Sequence, residues 1–457
     1  MEITQELLPA GCLRILERLR AAGFEGAVVG GCVRDLLRGA VPHDWDVCTS
    51  ARPEQVLELF RDGPAIPTGL RHGTVTVFQD GVGYEVTTYR VDGVYSDGRR
   101  PDQVRFTGIL TQDLARRDFT INAMAYVPGS GLKDPFGGRE DLARGLIRCV
   151  GRADQRFAED GLRIMRALRF ASVLGFRLED GCAAAIHENR ARLDKIARER
   201  VGVELLRMLC GAGVENILLE YADVVMQVLP DLAPMAGFDQ RNPHHCFDVW
   251  THTVKTVAAV EAEPVLRLAM LLHDAGKPAC FSIKEGVGHF YGHAHAGTEL
   301  AKRAVKTLRL NGDTARCAVE LVRYHDAVLE PDPRAVRRWL NKLGEIQFRR
   351  LIQVHRADAQ GQASWLRPGR MEQFAQVEAV LEKVLREESR ISRSDLAVTG
   401  RDLLDAGIPQ GPAIGRLLEY LLRRVMDEEL PNRKEALMQA VKDAQREVYS
   451  ESSRKTR

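Results

Sequence analysis

Apolar residues follow two different periods along the chain. In the first third, short runs rich in β-branched residues predict strands at residues 27–29, 46–49, 73–78, 84–89 and 103–106. Residues 7–22 carry apolar residues at helical spacing, and Gly23 supplies a stop signal. Because helical stretches interleave with these strands, we expect an α+β unit built on a sheet.

Beyond about residue 154 the strand pattern nearly disappears, and apolar residues recur at helical spacing to the end of the chain. The predicted fold class is therefore an α+β head followed by a largely all-α remainder. Loop-like sequences rich in Gly, Pro and polar residues predict boundaries near 134–141, 230–245 and 360–370. Residues 450–457, SESSRKTR, predict a frayed end.

Composition excludes several classes of protein. A chain of 457 residues is too long for one ordinary core, so we expect several packed units. The net charge of +2, from 65 basic and 63 acidic residues, gives no global sign of a nucleic-acid partner, so local sites must carry that case. Nine scattered cysteines without a CxxC pair favour reduced thiols in the cytoplasm. No signal-peptide pattern or membrane-length apolar run is present, so we expect no membrane association.

Residues 26–50, GAVVGGCVRDLLRGAVPHDWDVCTS, combine two motifs. Gly30 and Gly31 between a strand and a helix would let the backbone approach a phosphate, and Arg34 would add a charged fork; a simple tight turn is the alternative. Asp44 and Asp46 would point to the same side of a strand and hold two Mg²⁺ ions; a solvated turn is the alternative. The two motifs together favour nucleotidyl transfer more strongly than either motif alone.

Two further segments extend this pattern. Glu85 would place a third carboxylate on a neighbouring strand, although it also fits an edge-strand glutamate. In LARRDFTINAMAY, residues 114–126, the charged Arg116, Arg117 and Asp118 precede an apolar stretch. The guanidinium groups would face phosphates while Asp118 fixes one of them or contacts ribose. The alternative is a helix-capping charge cluster.

Residues 157–170, FAEDGLRIMRALRF, predict one helix. Asp160 and Arg163 are three residues apart and would share a face, presenting an acceptor and a forked donor to the edge of a base. An ordinary intrahelical ion pair is the alternative.

These motifs, with DPFGGREDL, resemble in order and spacing the tRNA nucleotidyltransferase and poly(A) polymerase family. The resemblance implies a polymerase-β-like head, a helical neck with the nucleotide-selecting residues, a helical body and a tRNA-binding tail, at residues 1–145, 146–215, 216–365 and 366–457. It also implies addition of C, C and A to the tRNA 3′ end from CTP and ATP. The implied residues are Asp44, Asp46 and Glu85 for catalysis with two Mg²⁺ ions, Asp160 and Arg163 as the template for CTP and ATP, and Gly30, Gly31, Arg34, Arg117, Asp118, Arg166 and Arg169 for nucleotide binding.

Two segments separate members of this family. The long Gly-containing connector at 87–106 is typical of enzymes that add A as well as C. GLRHGTVTV, residues 69–77, differs from the arginine-rich segment of poly(A) polymerases. Full CCA addition is therefore favoured, with poly(A) synthesis or partial CC- or A-addition as alternatives.

Residues 248–358 contain a second set of metal-ligand side chains, although each histidine alone also fits a core or surface role. Their order resembles the HD phosphohydrolase superfamily and implies a divalent metal site with phosphodiesterase or phosphatase activity. The implied ligands are His252, His273, Asp274 and Asp358, with His293 and His325 for a second ion. The alternatives are an HD phosphohydrolase whose head only binds nucleotide, and a non-enzymatic tRNA-binding protein, which the 6% aromatic content disfavours.

Overall fold

A computed structural model describes residues 2–93, 104–388, 395–426 and 429–443. The chain forms two compact units, Met1–Arg323 and Tyr324–Arg457. The predicted frayed end at 450–457 and residues 94–103 of the predicted connector lie outside the described residues.

A seven-stranded mixed sheet dominates the head, with strand order β3-β4-β5-β2-β1-β8-β9. Strand β2 runs parallel to β5, and the other neighbours in this sheet are antiparallel. Its strands are β1 Gly26–Val29, β2 Asp46–Thr49, β3 Ala65–Gly69, β4 Thr74–Gln79, β5 Val82–Thr88, β8 Ala125–Val127 and β9 Gly131–Lys133. The remaining strands form two-stranded pairs: β6 Arg90–Asp92 with β7 Val104–Phe106, β10 Leu146–Ile147 with β11 Arg177–Leu178, and β12 Ser282–Lys284 with β13 Val287–His289.

Helices cover the head and build almost all of the later chain, as the sequence predicts. In the first unit they are α1 Ala10–Ala21, α2 Gly31–Leu37, α3 Pro53–Leu59, α4 Leu110–Ala115, α5 Gly138–Ala143, α6 Ala153–Glu159, α7 Leu162–Leu174, α8 Asp180–Asn189, α9 Arg198–Leu209, α10 Val214–Glu220, α11 Ala222–Val228, α12 Val249–Ala259, α13 Pro264–Leu272, α14 His293–Thr307 and α15 Gly312–Tyr324, which ends at the unit boundary. Short 3₁₀ turns lie at Gln5–Leu7, Leu70–His72, Thr120–Asn122, Arg190–Lys195, Pro230–Met235 and Pro278–Cys280.

Helix α7 packs against α9 and α10. Its apolar face is buried through Ile164, Met165 and Leu168, and each such side chain contributes roughly 1.5–3 kcal/mol. Gly211 allows a close approach, because a Cβ atom there would lie 2.2 Å from the Ser172 hydroxyl oxygen. The basic residues on the other positions of α7 are therefore held on a buried scaffold.

The prediction of one continuous helix over residues 157–170 is wrong. Helix α6 ends at Glu159, Asp160 has extended dihedrals (φ −140°, ψ 104°), and α7 begins at Leu162. The Asp160 carboxylate accepts a hydrogen bond from the Leu162 amide at 3.0 Å, which caps the new helix. Asp and Gly favour caps and turns over helix interiors, and here that local preference interrupts the apolar period.

The second unit contains α16 Pro333–Leu343, α17 Glu345–Gly361, α18 Arg367–Glu388, α19 Gly400–Asp405 and α20 Pro412–Met426. Residues 434–443 are also helical. Helix α18 packs on α16 and α17 over buried residues that include Phe348 and Phe374. A separate core around Val398, Leu403 and Leu421 holds the last helices together. Across the described parts of both units, no helix is long and apolar enough to cross a membrane.

Candidate active site

The turn from β1 into α2 brings the backbone close to a charged side chain. Gly30 has φ +84°, a conformation that glycine adopts without strain, and α2 begins at Gly31. A Cβ atom on Gly30 would lie 3.0 Å from Nη1 of Arg117. Arg34 lies on the first turns of α2 and donates to the Asn122 side-chain oxygen at 2.9 Å. The strand, glycine turn and helix predicted here are all present.

Three carboxylates lie on or beside two neighbouring strands, β2 and β5. In the parallel pairing of β2 with β5, Asp46 and Glu85 are direct partners, so their side chains emerge on the same face of the sheet. Asp44 lies in the bend before β2, so its predicted position on the strand is wrong. Burial raises the pKa of Asp46; Arg117 lowers that pKa, and the nearby charges of Glu85 and Asp44 raise it further. The predicted Asp44, Asp46 and Glu85 thus interact electrostatically at one place.

Asp113, which the sequence analysis did not single out, holds the arginine pair. Its side chain is almost fully buried and lies 2.8 Å from Nη2 of Arg116 and 3.3 Å from Nη2 of Arg117. Burial lowers the pKa of Arg117, but the carboxylates of Asp113 and Asp46 outweigh burial and raise that pKa above its ordinary value. The available signal was spacing, since Asp113 precedes the two arginines by three and four residues.

Asp118 pairs with the neck rather than with its neighbours in sequence. Its carboxylate accepts two hydrogen bonds from Arg166, through Nε at 2.7 Å and Nη2 at 2.5 Å. Burial opposes ionisation, but Arg166 outweighs it and lowers the pKa of Asp118 to about 2. Asn122 donates to Asp118 at 3.2 Å while accepting from Arg34. A polar chain therefore runs from Arg34 in the head to Arg166 in α7, and its central member, Asn122, is not among the predicted site residues.

Arg169 is held by a partner that the sequence analysis also missed. Glu204 on α9 is buried and accepts from Nε of Arg169 at 2.5 Å, with Nη1 of Arg166 at 3.9 Å. The ring of Phe170 lies beside three guanidinium groups, 3.8 Å from Arg169, 5.2 Å from Arg34 and 5.5 Å from Arg166. These contacts bring three of the predicted nucleotide-binding arginines around one aromatic ring.

The residues predicted to select the base lie at the break between α6 and α7. Arg163 pairs with Glu159 at 2.5 Å and donates to the backbone carbonyls of Arg156 and Arg116. Asp160 lies 3.8 Å from Arg200, and burial raises its pKa. Because Asp160 lies outside α7, the predicted shared helix face does not exist. The turn nevertheless leaves Asp160 close enough to interact electrostatically with Arg163.

A second cluster lies on helices α12 and α14 and in the turn after α13, all in the first unit. Nε2 of His252 and Nε2 of His273 lie 3.4 and 3.2 Å from Oδ2 of Asp274, and Nε2 of His293 lies 3.7 Å from Oδ1. The Nδ1 atoms of His273 and His293 face the backbone carbonyls of Met270 and Phe290 at 2.7 and 2.9 Å. Because a carbonyl only accepts, Nδ1 is the donor in each ring, and in the neutral imidazole Nε2 is then the basic nitrogen. Basic nitrogens directed at a carboxylate form a donor set that suits a divalent cation.

The other two predicted ligands belong to the second unit. His325 is buried. Asp358 lies on α17, where it accepts from Gln362 at 2.8 Å. Their participation in a metal site with the first-unit cluster stays a prediction.

Comparisons with known proteins agree with this architecture. Residues 27–148 match the model of the Poly A polymerase head domain, and residues 362–441 match that of tRNA nucleotidyltransferase domain 2. The CCA-adding enzyme of Latilactobacillus sakei is 36% identical over 437 residues, which cover 95% of this chain and 98% of the relative. That of Levilactobacillus brevis is 35% identical over 432 residues, covering 94% and 96%.

Comparison of the fold with solved structures also identifies CCA-adding enzymes as similar proteins. The crystal structure of the Bacillus stearothermophilus CCA-adding enzyme in complex with CTP matches with a TM-score of 0.65 and 30% identity, over 96% of this chain and 98% of that one. The likeness spans both units, and the head model covers the carboxylates, the glycine turn and the arginine pair. The chain therefore belongs to the CCA-adding enzyme family of nucleotidyltransferases.

Proposed function

We propose that the protein adds C, C and A to the 3′ end of tRNA, using CTP and ATP, releasing pyrophosphate and copying no nucleic-acid template. The observation that carries this proposal is the direct pairing of Asp46 with Glu85 on adjacent strands, beside Arg117 and the Gly30 turn. Membership of the CCA-adding enzyme family supports it.

The carboxylates fit Mg²⁺, which prefers oxygen ligands. Burial raises the pKa of Asp46 most, and the charges of Glu85 and Asp44 add to that rise; a cation would relieve their repulsion. Asp44 and Asp46 would hold two Mg²⁺ ions, and Glu85 would support them as a third carboxylate. When bound, these ions supply activation of the attacking hydroxyl and neutralisation of the triphosphate charge.

The remaining residues of the head position the nucleotide. The 3′ hydroxyl of the tRNA attacks the α-phosphorus, and the bond from that phosphorus to pyrophosphate breaks. Arg34 and Arg117 would bind the triphosphate, while Gly30 and Gly31 let the backbone approach it. Asp113 fixes Arg117 for this role, because its buried carboxylate forms an ion pair with the Arg117 guanidinium group.

Base selection would rest on Asp160 and Arg163. A carboxylate accepts from the exocyclic amino group of cytosine or adenine, and a guanidinium donates to the adjacent ring nitrogen. Glu159 and two carbonyls hold the Arg163 guanidinium in place. Arg166 and Arg169 would contact phosphate or base, and Asp118 would orient Arg166 or bind ribose.

The test uses tRNAs that end one, two or three nucleotides short of the CCA terminus, each incubated with CTP, ATP or both. We expect the purified protein to restore the CCA terminus and then stop. Continued addition of A residues would indicate poly(A) synthesis, and addition of only C or only A would indicate a partial enzyme. No extension of any substrate would contradict the proposal.

We propose a second function for the His252, His273, Asp274 and His293 cluster: binding of a divalent metal and hydrolysis of phosphate esters. The supporting observation is the direction of the basic imidazole nitrogens toward the buried Asp274 carboxylate. Metal analysis of the purified protein, with phosphate release from 3′-phosphorylated RNA in Mg²⁺, Mn²⁺ or Ni²⁺, tests this function. If the protein contains no bound metal and releases no phosphate, the cluster serves packing alone. We place both activities in the cytoplasm, which the nine free cysteines favour.

A further inference from the structure

A pair of stacked rings lies on the surface beside the second cluster. The rings of His289 and Tyr291 are 5.3 Å apart and nearly parallel, at an interplanar angle of 5°. Tyr291 is 73% exposed, although its ring is large and apolar. An exposed flat ring that already rests on a second ring offers its outer face to a further planar group.

The hairpin that ends at His289, two residues before Tyr291, also presents a positive charge. In the antiparallel register of β12 with β13, Ser282 is opposite His289 and Lys284 is opposite Val287. Side chains of paired residues and of residues two apart lie on one face of a hairpin, so exposed Lys284 shares a face with His289. Stacked rings and a cation on one surface are the combination that binds single-stranded nucleic acid.

The hairpin has a fixed position relative to Asp274. The Gly288 amide donates to the Arg241 carbonyl at 2.7 Å, and a Cβ atom on Gly288 would lie 2.1 Å from the Gln240 carbonyl oxygen. The Gln240 side chain accepts from Lys277 at 3.0 Å, and the Lys277 ammonium lies 2.7 Å from Oδ2 of Asp274. These contacts connect the back of the hairpin to the carboxylate at the centre of the cluster.

The chain itself supplies a second connection. Phe290, between the two stacked residues, packs into an aromatic core with Phe238 and Phe281. Its carbonyl accepts from Nδ1 of His293, which begins α14. Only Gly292 separates exposed Tyr291 from His293, and Gly292 has the positive φ (+80°) that the turn requires. The stack therefore lies next to a residue of the cluster.

From this arrangement we propose that His289 and Tyr291 form a base-binding platform for the 3′-terminal nucleotide of an RNA whose terminal phosphate is removed at the cluster. This inference rests on the second proposed function. Water attacks the phosphorus of the 3′-phosphate, the bond between phosphorus and the ribose 3′ oxygen breaks, and that oxygen takes a proton from the water. The products are an RNA with a 3′ hydroxyl group and inorganic phosphate.

Binding is tested with a short RNA that carries a 3′-phosphate and 2-aminopurine as its last base, whose fluorescence is quenched by stacking. The wild type, Tyr291→Ala, Tyr291→Phe and Ile283→Ala are compared. Ile283 is the matched control, because it lies on the opposite face of the same hairpin and is also exposed. We expect Tyr291→Ala to lose the quenching and to weaken binding about tenfold. Tyr291→Phe and Ile283→Ala should behave as the wild type, and equal quenching in Tyr291→Ala would overturn the platform.

Phosphate release separates the platform from the metal site. With a base-bearing and an abasic 3′ end, the wild type should prefer the former about tenfold in kcat/KM, and Tyr291→Ala should show no preference while keeping the wild-type metal content. Hydrolysis with an unchanged preference would overturn the platform alone. Absence of metal and hydrolysis in the wild type, with Tyr291-dependent quenching retained, would overturn the second function alone. Equal kcat/KM for a free 3′-mononucleotide would overturn the assignment to an RNA end.

Discussion

Asp46 lies near both positive and negative side chains in the head. Burial and the neighbouring Glu85 and Asp44 disfavour its ionised form, whereas Arg117 favours it. A divalent cation bound here would be the largest charge in the site and would favour the ionised form of Asp46. The strand register keeps Glu85 beside it, so the site depends on the pairing of β2 with β5 as much as on its acidic residues.

Replacement of Asp44 or Asp46 by Ala should abolish nucleotide addition while tRNA binding is largely retained. Loss of a metal ligand removes activation of the hydroxyl, an effect of several kcal/mol on the barrier, or about a thousandfold or more in rate. Single-turnover incorporation of CMP measures this loss. Asp62→Ala, an exposed carboxylate paired with Arg18, is the control. Near-normal incorporation by folded Asp44→Ala would remove Asp44 from the catalytic set.

Asp118 makes stability depend on pH in acid. Its pKa of about 2 is below the ordinary value of about 3.9, so its ion pair with Arg166 stabilises the fold fully above about pH 4. That contribution to the free energy of unfolding, on the order of 2 kcal/mol, is lost as the pH falls from about 4 to about 2. Urea unfolding across this range should show a smaller pH dependence for Asp118→Asn than for the wild type. Equal slopes would mean that other carboxylates control acid stability.

The sequence predicts some of these residue positions better than others. Runs rich in β-branched residues predict strands that contain Asp46 and Glu85, and the pairing of these strands brings the two residues together. Asn122, Asp118 and Glu204 were harder, because their arginine partners lie 88, 48 and 35 residues away in the chain. Local spacing carries no information on such contacts, so two of the three residues were missed and the third was given an arginine neighbour instead of Arg166.

At the scale of elements, length and residue type together decided which strands were predictable; β3, which contains Pro67, was not predicted although it has five residues. All five predicted strands are present, since each is three to seven residues long and carries β-branched residues. Strands such as β10 and β11 have two residues each, too few to show a period. The same limit hid the β12–β13 hairpin within an otherwise helical region.

The break between α6 and α7 gives the element-scale prediction. Asp160 lies in the turn with its carboxylate near Arg163 and Arg200 rather than on a regular helix face. UTP and GTP would present a carbonyl and a ring N–H to a site built for the reverse pattern, leaving mismatched groups. Asp160→Ala should therefore lower C and A incorporation and relax the exclusion of UTP.

The ratio of kcat/KM for CTP over UTP measures this selection, and we expect it to fall at least tenfold in Asp160→Ala. Asp154→Ala is the matched control, because Asp154 lies on exposed positions of the preceding helix and pairs with Arg152. An unchanged ratio would show that selection lies elsewhere and that Asp160 serves only as the cap of α7.

For the whole molecule, chain length predicts several packed units, and the structure divides the chain into two compact units; the bounds of the four predicted domains stay a prediction. The boundary at Arg323 and Tyr324 falls within helix α15, where no Gly- or Pro-rich sequence marks it. Linker composition could not have located it, because the division follows from long-range packing and not from a local change in residue type.

The nucleotidyltransferase residues and the histidine cluster use different elements of the first unit. The former lie on β2, β5, α2, α4, α6, α7 and α9 and the turns beside them. The latter lie on α12 and α14 and in the turn after α13. They share no residue and no hydrogen-bond partner among the contacts described above. Substitutions at sites without shared partners have nearly independent effects.

We therefore expect a double dissociation. His273→Ala should lose bound divalent metal and phosphate release from 3′-phosphorylated RNA, because the substitution removes one of the imidazoles directed at Asp274, yet it should keep CCA addition within about twofold of the wild type. Asp44→Ala should do the reverse, and the double variant should lose both activities with no further effect on either. Both reactions are measured on the same preparations, with thermal unfolding as the check on folding. Loss of CCA addition in a stably folded His273→Ala would contradict independence and would mean that the cluster supports the head through packing.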